Sequence, residues 1–241
     1  MTTETVPTTR DTGPHPLDDP IRSSLRGAHS RFASWSGRIG RYDPQVAGFV
    51  GHPPTLDDRD WSDLAALVGP SAEVSLRGAH TPPAGWEVLG TIGSVQLDGT
   101  DLAVAPDPEA VVLGAGDVPR MLDLVARTEP GPFRVRTVEM GTYLGFVDGG
   151  RLVALAGERM HPEGWTEISA VCTDPLYRRR GLSTRLVRAV GHGIRARAET
   201  PFLHARADNV SAIRLYESLG FRLRQRSVLT SVRTPGRDGR R

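Results

Sequence analysis

The chain has no lysine. All 30 of its basic side chains are arginine, and 28 acidic ones leave a net charge of only +2. So small a balance argues against the basic footprint of a nucleic-acid-binding protein. With no lysine, the chain also offers no side-chain amine of its own for modification. There is one cysteine, Cys172, so no intramolecular disulfide framework can form. No apolar run approaches the roughly 18 residues that a membrane helix needs. The opening Met1-Thr-Thr-Glu-Thr-Val-Pro carries no signal-peptide core. Together these point to a cytoplasmic protein with no membrane partner. No Cys/His cluster has metal-ligand spacing.

What is present is concentrated near residues 165–221. An extended run, Thr166-Glu-Ile-Ser-Ala-Val-Cys-Thr-Asp-Pro175, leads into Leu-Tyr-Arg178-Arg179-Arg180-Gly181-Leu182-Ser183-Thr184, where a helix begins. A helix start leaves N–H groups without intrahelical partners and favours anions. Gly181 allows close approach to the backbone, and the three arginines supply permanent charge. Further on stands Asn209-Val-Ser-Ala212-Ile-Arg-Leu-Tyr216-Glu-Ser-Leu-Gly220-Phe221.

Residues 1–19 and 234–241 read as a disordered lead-in and a disordered basic tail. Residues 20–105 read as a small N-terminal α/β unit. It has helices over Ile21–Ala33 and Asp57–Val68, strands near Val74 and Val88, and a linker from Asp98 to Glu109. Residues 106–233 follow the order β-α-β-β-β-α-β-α-β-β. Ala110–Leu113 reads as a buried strand, Asp117 as a helix cap, and Asp148-Gly149-Gly150 as a hairpin turn. Leu182–Ala198 and Asn209–Leu219 read as helices. Phe221–Arg224 and Ser227–Val232 read as a closing hairpin.

Arg178-x-x-Gly181-x-Ser183 resembles the phosphate-binding motif Gln/Arg-x-x-Gly-x-Gly/Ala of the GNAT superfamily of N-acetyltransferases, with serine at the last position. Asn209 to Phe221 is similar to the family's Asn-x-x-Ala-x-x-x-Tyr-x-x-x-Gly-Phe at every specified position. Order and spacing resemble the FR47-like branch over about residues 108–235. The resemblance implies an α/β (α+β) GNAT fold, a mixed, mostly antiparallel sheet flanked by helices, with the second helix of the family reduced to the irregular Thr128–Phe133. It implies acetyl-CoA as acyl donor and an amine acceptor, on a small molecule or a peptide. A homodimer is left open.

The resemblance also assigns roles. Backbone groups of Arg178, Arg179, Arg180, Gly181, Leu182, Ser183 and Thr184 would hold the pyrophosphate. Val171, Cys172 and Thr173 would line the pantetheine arm as if it were an added strand, which requires the sheet to splay between residues 165–173 and 202–207. Asn209 would cap its helix and touch the arm, and Ala212 would leave it room. Tyr216 would protonate the departing thiolate. Glu167 is the first candidate for the base that deprotonates the amine. A half-apolar cleft would raise its pKa, and strand alternation puts it on one face with Ser169 and Val171. Glu139, His161, His204 and a water relay are the alternatives. Cys172 reads as a buried structural thiol, so direct transfer in a ternary complex is favoured over an acyl-cysteine. The rival to an enzyme is a CoA-binding sensor or scaffold that has lost transfer.

Overall fold

A computed structural model describes residues 15–236. In chain order the elements are α1 (Pro20–Arg26), β1 (Ala33–Ser36), β2 (Ile39–Tyr42), β3 (Val50–Gly51), α2 (Asp58–Val68), β4 (Glu73–Arg77), β5 (Glu87–Asp98), β6 (Val111–Leu113), α3 (Val118–Thr128), β7 (Tyr143–Asp148), β8 (Arg151–Glu158), β9 (Trp165–Thr173), α4 (Leu182–Ala196), β10 (Thr200–Arg206), α5 (Val210–Ser218) and β11 (Arg222–Arg233). Strands β1–β3 form a small antiparallel sheet, and the others form one eight-stranded sheet in the order β4-β11-β5-β10-β9-β8-β7-β6. The β9–β10 pair is parallel, and the other pairs of the large sheet are antiparallel.

This topology departs from the expected division of the chain. The N-terminal strands β4 and β5 do not stand apart. β5 lies between β10 and β11, pairing Phe202 with Asp98 on one side and Arg222 with Asp98 on the other. The expected C-terminal hairpin is a single strand, β11, with a register shift between Leu223 and Gln225. Gln225-Arg226 contains no residue suited to a tight turn, so the chain runs on and its inner neighbour comes from the N-terminal half.

Smaller corrections have local causes. Leu17 is wholly buried against Met160 and Phe202, so residues 15–19 are ordered, whereas residues 1–14 and 237–241 of the expected lead-in and tail lie outside the described residues. α1 ends at Gly27 rather than continuing to Ala33. β6 is an edge strand with Val112 72% exposed, not a buried one. Asp117 makes no cap bond to α3. Its carboxylate accepts from the Gly114 N–H at 2.8 Å instead. The segment after α3 is irregular as expected: residues 129–136 form no helix and lead to a short 3-10 turn at Thr137–Met140.

The core that carries the site lies between the sheet and α4. Leu186, Val187, Val190 and Ile194 pack on Val95, Leu97, Ile168 and Leu203, with Tyr216 and Phe221 closing the end. α3 covers the opposite face, where Met121 and Leu124 meet Tyr143, Leu155 and Cys172. Among the described residues no helix is long and apolar enough to cross a membrane.

Candidate functional site

β9 ends in a turn that Asp174 organises. Its buried carboxylate accepts from the Leu176 N–H at 3.0 Å and binds Arg151 at 2.8 Å and Arg127. The Leu176 N–H and these two arginines hold its pKa below the usual carboxylate value. The chain then passes through two left-handed residues, Arg179 (φ 62°) and Gly181 (φ 74°), into α4. The first intrahelical bond runs from Arg185 N–H to Gly181 C=O at 3.0 Å. Among the described residues, the N–H groups from Arg178 to Thr184 donate to no protein oxygen. They form an arc of free donors at the positive end of a helix. A Cβ built on Gly181 would meet nothing within 4 Å, so the approach to the arc is open.

The arginines of this arc are held by weak contacts. Arg178 Nε reaches the Thr173 carbonyl at 3.4 Å, and Arg180 reaches that of Leu176 at 3.3 Å while lying over the Tyr177 ring. By contrast Arg185, one turn on, is bound by Asp107 at 2.6 Å and Glu109 at 2.6 Å. A cavity of about 360 Å³ opens beside the arc, walled by Phe146, Tyr177, Arg180, Leu182 and Arg185. Ser183 turns its hydroxyl to Thr173 Oγ1 at 2.9 Å, which ties the helix start to the strand end.

The splay between β9 and β10 is present. Their ladder runs from Thr200–Trp165 to Phe202–Glu167 and stops there. β9 also carries a bulge. Leu155 faces Cys172 while Gly157 faces Ser169, and Ala170 is left-handed at φ 54°. The extra residue shifts the alternation, so Val171 joins Ile168 in the core under α4 rather than sharing a face with Glu167 and Ser169 as expected. Cys172 faces α3 instead. Burial pushes its thiol up to about 11, which leaves it a poor nucleophile.

The chain's one asparagine, Asn209, caps α5 by accepting from the Ala212 N–H at 3.2 Å. Ala212 is half-buried against the core beneath α4. Tyr216 stands further along the same helix with its ring against Phe221. Burial and the neighbouring Cys172 push its phenol up to about 12, and no hydrogen bond contributes to that shift.

Glu167 differs from expectation. It is fully buried, and both its oxygens are gripped by Arg159 at 2.6 Å, with His204 Nδ1 at 2.7 Å from Oε1. Burial works against its charge, but Arg159 and His204 outweigh it and bring the carboxyl down to about 2. The expected raised pKa is absent because the cleft wall supplies a guanidinium where apolar groups were anticipated. Among the alternatives, Glu139 sits on the surface paired with Arg136 at 2.7 Å, which lowers its pKa. His161 is held below its ordinary pKa by burial. His204 is the one that stands at the fork. Arg159, Gln96 and Asp174 were not singled out from the sequence. Each matters through a partner distant in the chain, and no local pattern marks them.

Known proteins resemble this chain in sequence and in fold. A family model described as FR47-like protein matches residues 143–230. An N-alpha-acetyltransferase RimI of Mycobacterium tuberculosis is 34% identical over 129 residues, which cover 48% of this chain and 80% of that one. A mycothiol acetyltransferase of Corynebacterium efficiens is 36% identical over 83 residues, 34% of this chain and 28% of that protein. A solved structure from Novosphingobium aromaticivorans, described as a GNAT-family acetyltransferase, superposes with a TM-score of 0.83 at 41% identity, covering 91% of this chain and 98% of its own. That likeness spans the N-terminal strands as well as the motif-bearing half. On fold, motifs and relatives alike, the chain belongs to the GNAT family of N-acetyltransferases.

Proposed function

We propose that this acetyltransferase takes its acetyl group from acetyl-CoA and passes it directly to a primary amine in a ternary complex. The carrying observation is the alignment of two open features: the arc of free N–H groups at Arg178–Thr184 and the fork between β9 and β10. A pyrophosphate at the arc would send its pantetheine arm into the fork, beside backbone groups of Val171, Cys172 and Thr173 that have no β10 partner. Asn209 and Ala212 then border the arm from α5. The residues present suit the group: free donors and unpaired arginines for phosphate, an unpaired strand edge for an amide-bearing arm.

Bound acetyl-CoA supplies the activated thioester. Tyr216, whose phenol burial keeps protonated far above neutrality, gives its proton to the leaving sulfur. Glu167 is ionised but saturated by Arg159 and His204, so it holds neighbours in place, and the proton lost by the attacking amine passes to solvent through a water relay. Burial keeps the Cys172 thiol protonated, which supports direct transfer over an acyl-cysteine. Both named relatives act on amino groups or on mycothiol, consistent with an amine acceptor of the same broad class.

Thermal-shift titration of the chain with acetyl-CoA, CoA and free adenine nucleotides tests the donor. A ligand selective for the folded state raises the melting temperature. A shift with acetyl-CoA, followed by release of free thiol with a panel of amines and amino-terminal peptides, is the expected result. No shift with any CoA sinks the reading, and binding without thiol release from any acceptor favours the sensor or scaffold.

A further inference from the structure

Just beyond the Glu167–Phe202 pair, no backbone ladder fixes how far β9 stands from β10. Side chains bridge the gap instead. His204 Nδ1 lies 2.7 Å from Glu167 Oε1, and His204 Nε2 lies 3.1 Å from the amide of Gln96. Gln96 is itself anchored, donating to the Leu17 carbonyl at 2.9 Å and accepting from Arg224 at 2.8 Å. Those two bonds orient its amide, so its nitrogen faces the ring. His204 therefore accepts at Nε2 and donates from Nδ1 to Glu167. One row of side chains, from Arg159 through Glu167, His204 and Gln96 to Arg224, crosses four strands on the sheet face opposite α4.

A buried carboxylate is costly unless its polar atoms are partnered. Here both ring nitrogens and both carboxylate oxygens are used within the protein, and the row stands at the base of the fork. We propose that the Glu167–His204 contact positions β10 against β9 and so sets the width of the slot that receives the pantetheine arm, an inference that rests on the acyl-CoA reading above. An arm lying as an added strand needs a neighbour at about the 4.7–4.9 Å spacing of a ladder. With no main-chain bond above Phe202, this clamp holds β10 open at the fork and keeps it from drifting. Glu167 and His204 are positioning residues, and neither needs to touch the reacting atoms.

Calorimetric titration of the intact chain with two probes tests this. CoA uses both cradle and slot, whereas adenosine 3′,5′-bisphosphate lacks the pantetheine arm and uses only the cradle side. His204→Ala is expected to lose about tenfold or more in CoA affinity while bisphosphate affinity stays within about twofold. His204→Asn, whose amide nitrogen overlays Nδ1 and can donate to Glu167, is expected to recover most of the CoA affinity. A loosened fold would weaken both probes together and would not be rescued by asparagine. His204→Ala binding CoA like the wild type, or losing both probes equally, overturns the inference. If the alanine variant does not fold, His204→Asn is compared with His204→Gln, which overlays Nε2 and cannot reach Glu167. Equal CoA affinity in that pair overturns the inference too. A wild-type chain that binds neither probe overturns the acyl-CoA reading itself, and this inference with it.

Discussion

Ser183 Oγ and Thr173 Oγ1 lie 2.9 Å apart, joining the first turn of α4 to the last residue of β9. The hydroxyl at the position where the family motif has glycine or alanine is thus spent inside the protein. The backbone N–H of Ser183 remains free. Ser183→Ala is therefore expected to cost about 0.5–1.5 kcal/mol of stability, the usual net value of one hydrogen bond. CoA affinity should change by less than about threefold. Urea denaturation and a CoA titration measure the two, and a large affinity loss at unchanged stability would assign the hydroxyl to the ligand.

Arg179 sits at φ 62°, a left-handed position that costs a side-chain-bearing residue about 1–2 kcal/mol. Arg179→Gly should relieve that strain and leave the unliganded chain as stable or slightly more stable. It should also weaken CoA binding in a salt-dependent way, through loss of one cationic group. Melting curves without ligand, and titrations at low and high salt, check both halves. A clear drop in stability would contradict the strain argument.

Tyr216→Phe keeps the ring against Phe221 and removes the proton donor. On the proposed mechanism, turnover falls by about 10²–10⁴-fold, while CoA affinity stays within about threefold. Because the phenol is held up near 12, the wild type should show no loss of rate from its ionisation at pH 7–9. Full activity in the phenylalanine variant would remove Tyr216 from the chemistry.

Acid should destabilise the fold well before the carboxylates titrate. His29, bonded to Tyr42 and the Met140 carbonyl, and His52, bonded to the Pro53 carbonyl and the Arg77 N–H, are both pulled down to about 4 from 6.5, chiefly by burial. Between those values the unfolded chain takes up protons that the folded chain refuses, so stability falls as pH drops from about 6.5 to 4. Glu167 adds to this from about 4.5 downward. Its carboxyl is depressed toward 2, so the stability it contributes is present above 4.5 and is lost as pH falls through 2. Urea midpoints across pH 7 to 4 test the histidine part. His29→Gln should flatten the slope, and a wild-type midpoint that does not change over this range would contradict the assignment.

Legibility differed by element. The arc at Arg178–Thr184 and the α5 face carrying Asn209, Ala212 and Tyr216 were visible because their logic is local: a helix start, a cap and a helical repeat. The bulge at Ala170 was not visible, since alanine carries no bulge signature, and it moved Val171 off the face that simple alternation predicts. The state of Glu167 was illegible for the same kind of reason. Its pKa depends on Arg159 and His204, which meet it only across the sheet.

By itself, the sequence determined the turn into a helix at Gly181, the order of strands and helices from residue 111 to the end of α5, and Asn209 as the cap of the helix that carries Tyr216. These follow from backbone donors, capping and periodicity, which act within a turn or two. Only the tertiary structure decided that residues 87–98 fill the place beside β11, and that β9 and β10 part immediately after Glu167 and Phe202. It also decided that a row of five side chains, four of them from separate strands, bridges the parting. Strand pairing and buried ion pairs join residues far apart in the chain, and their energies depend on which neighbours the fold delivers. No local window of sequence contains both members of the Glu167–His204 pair and the guanidinium that holds it charged.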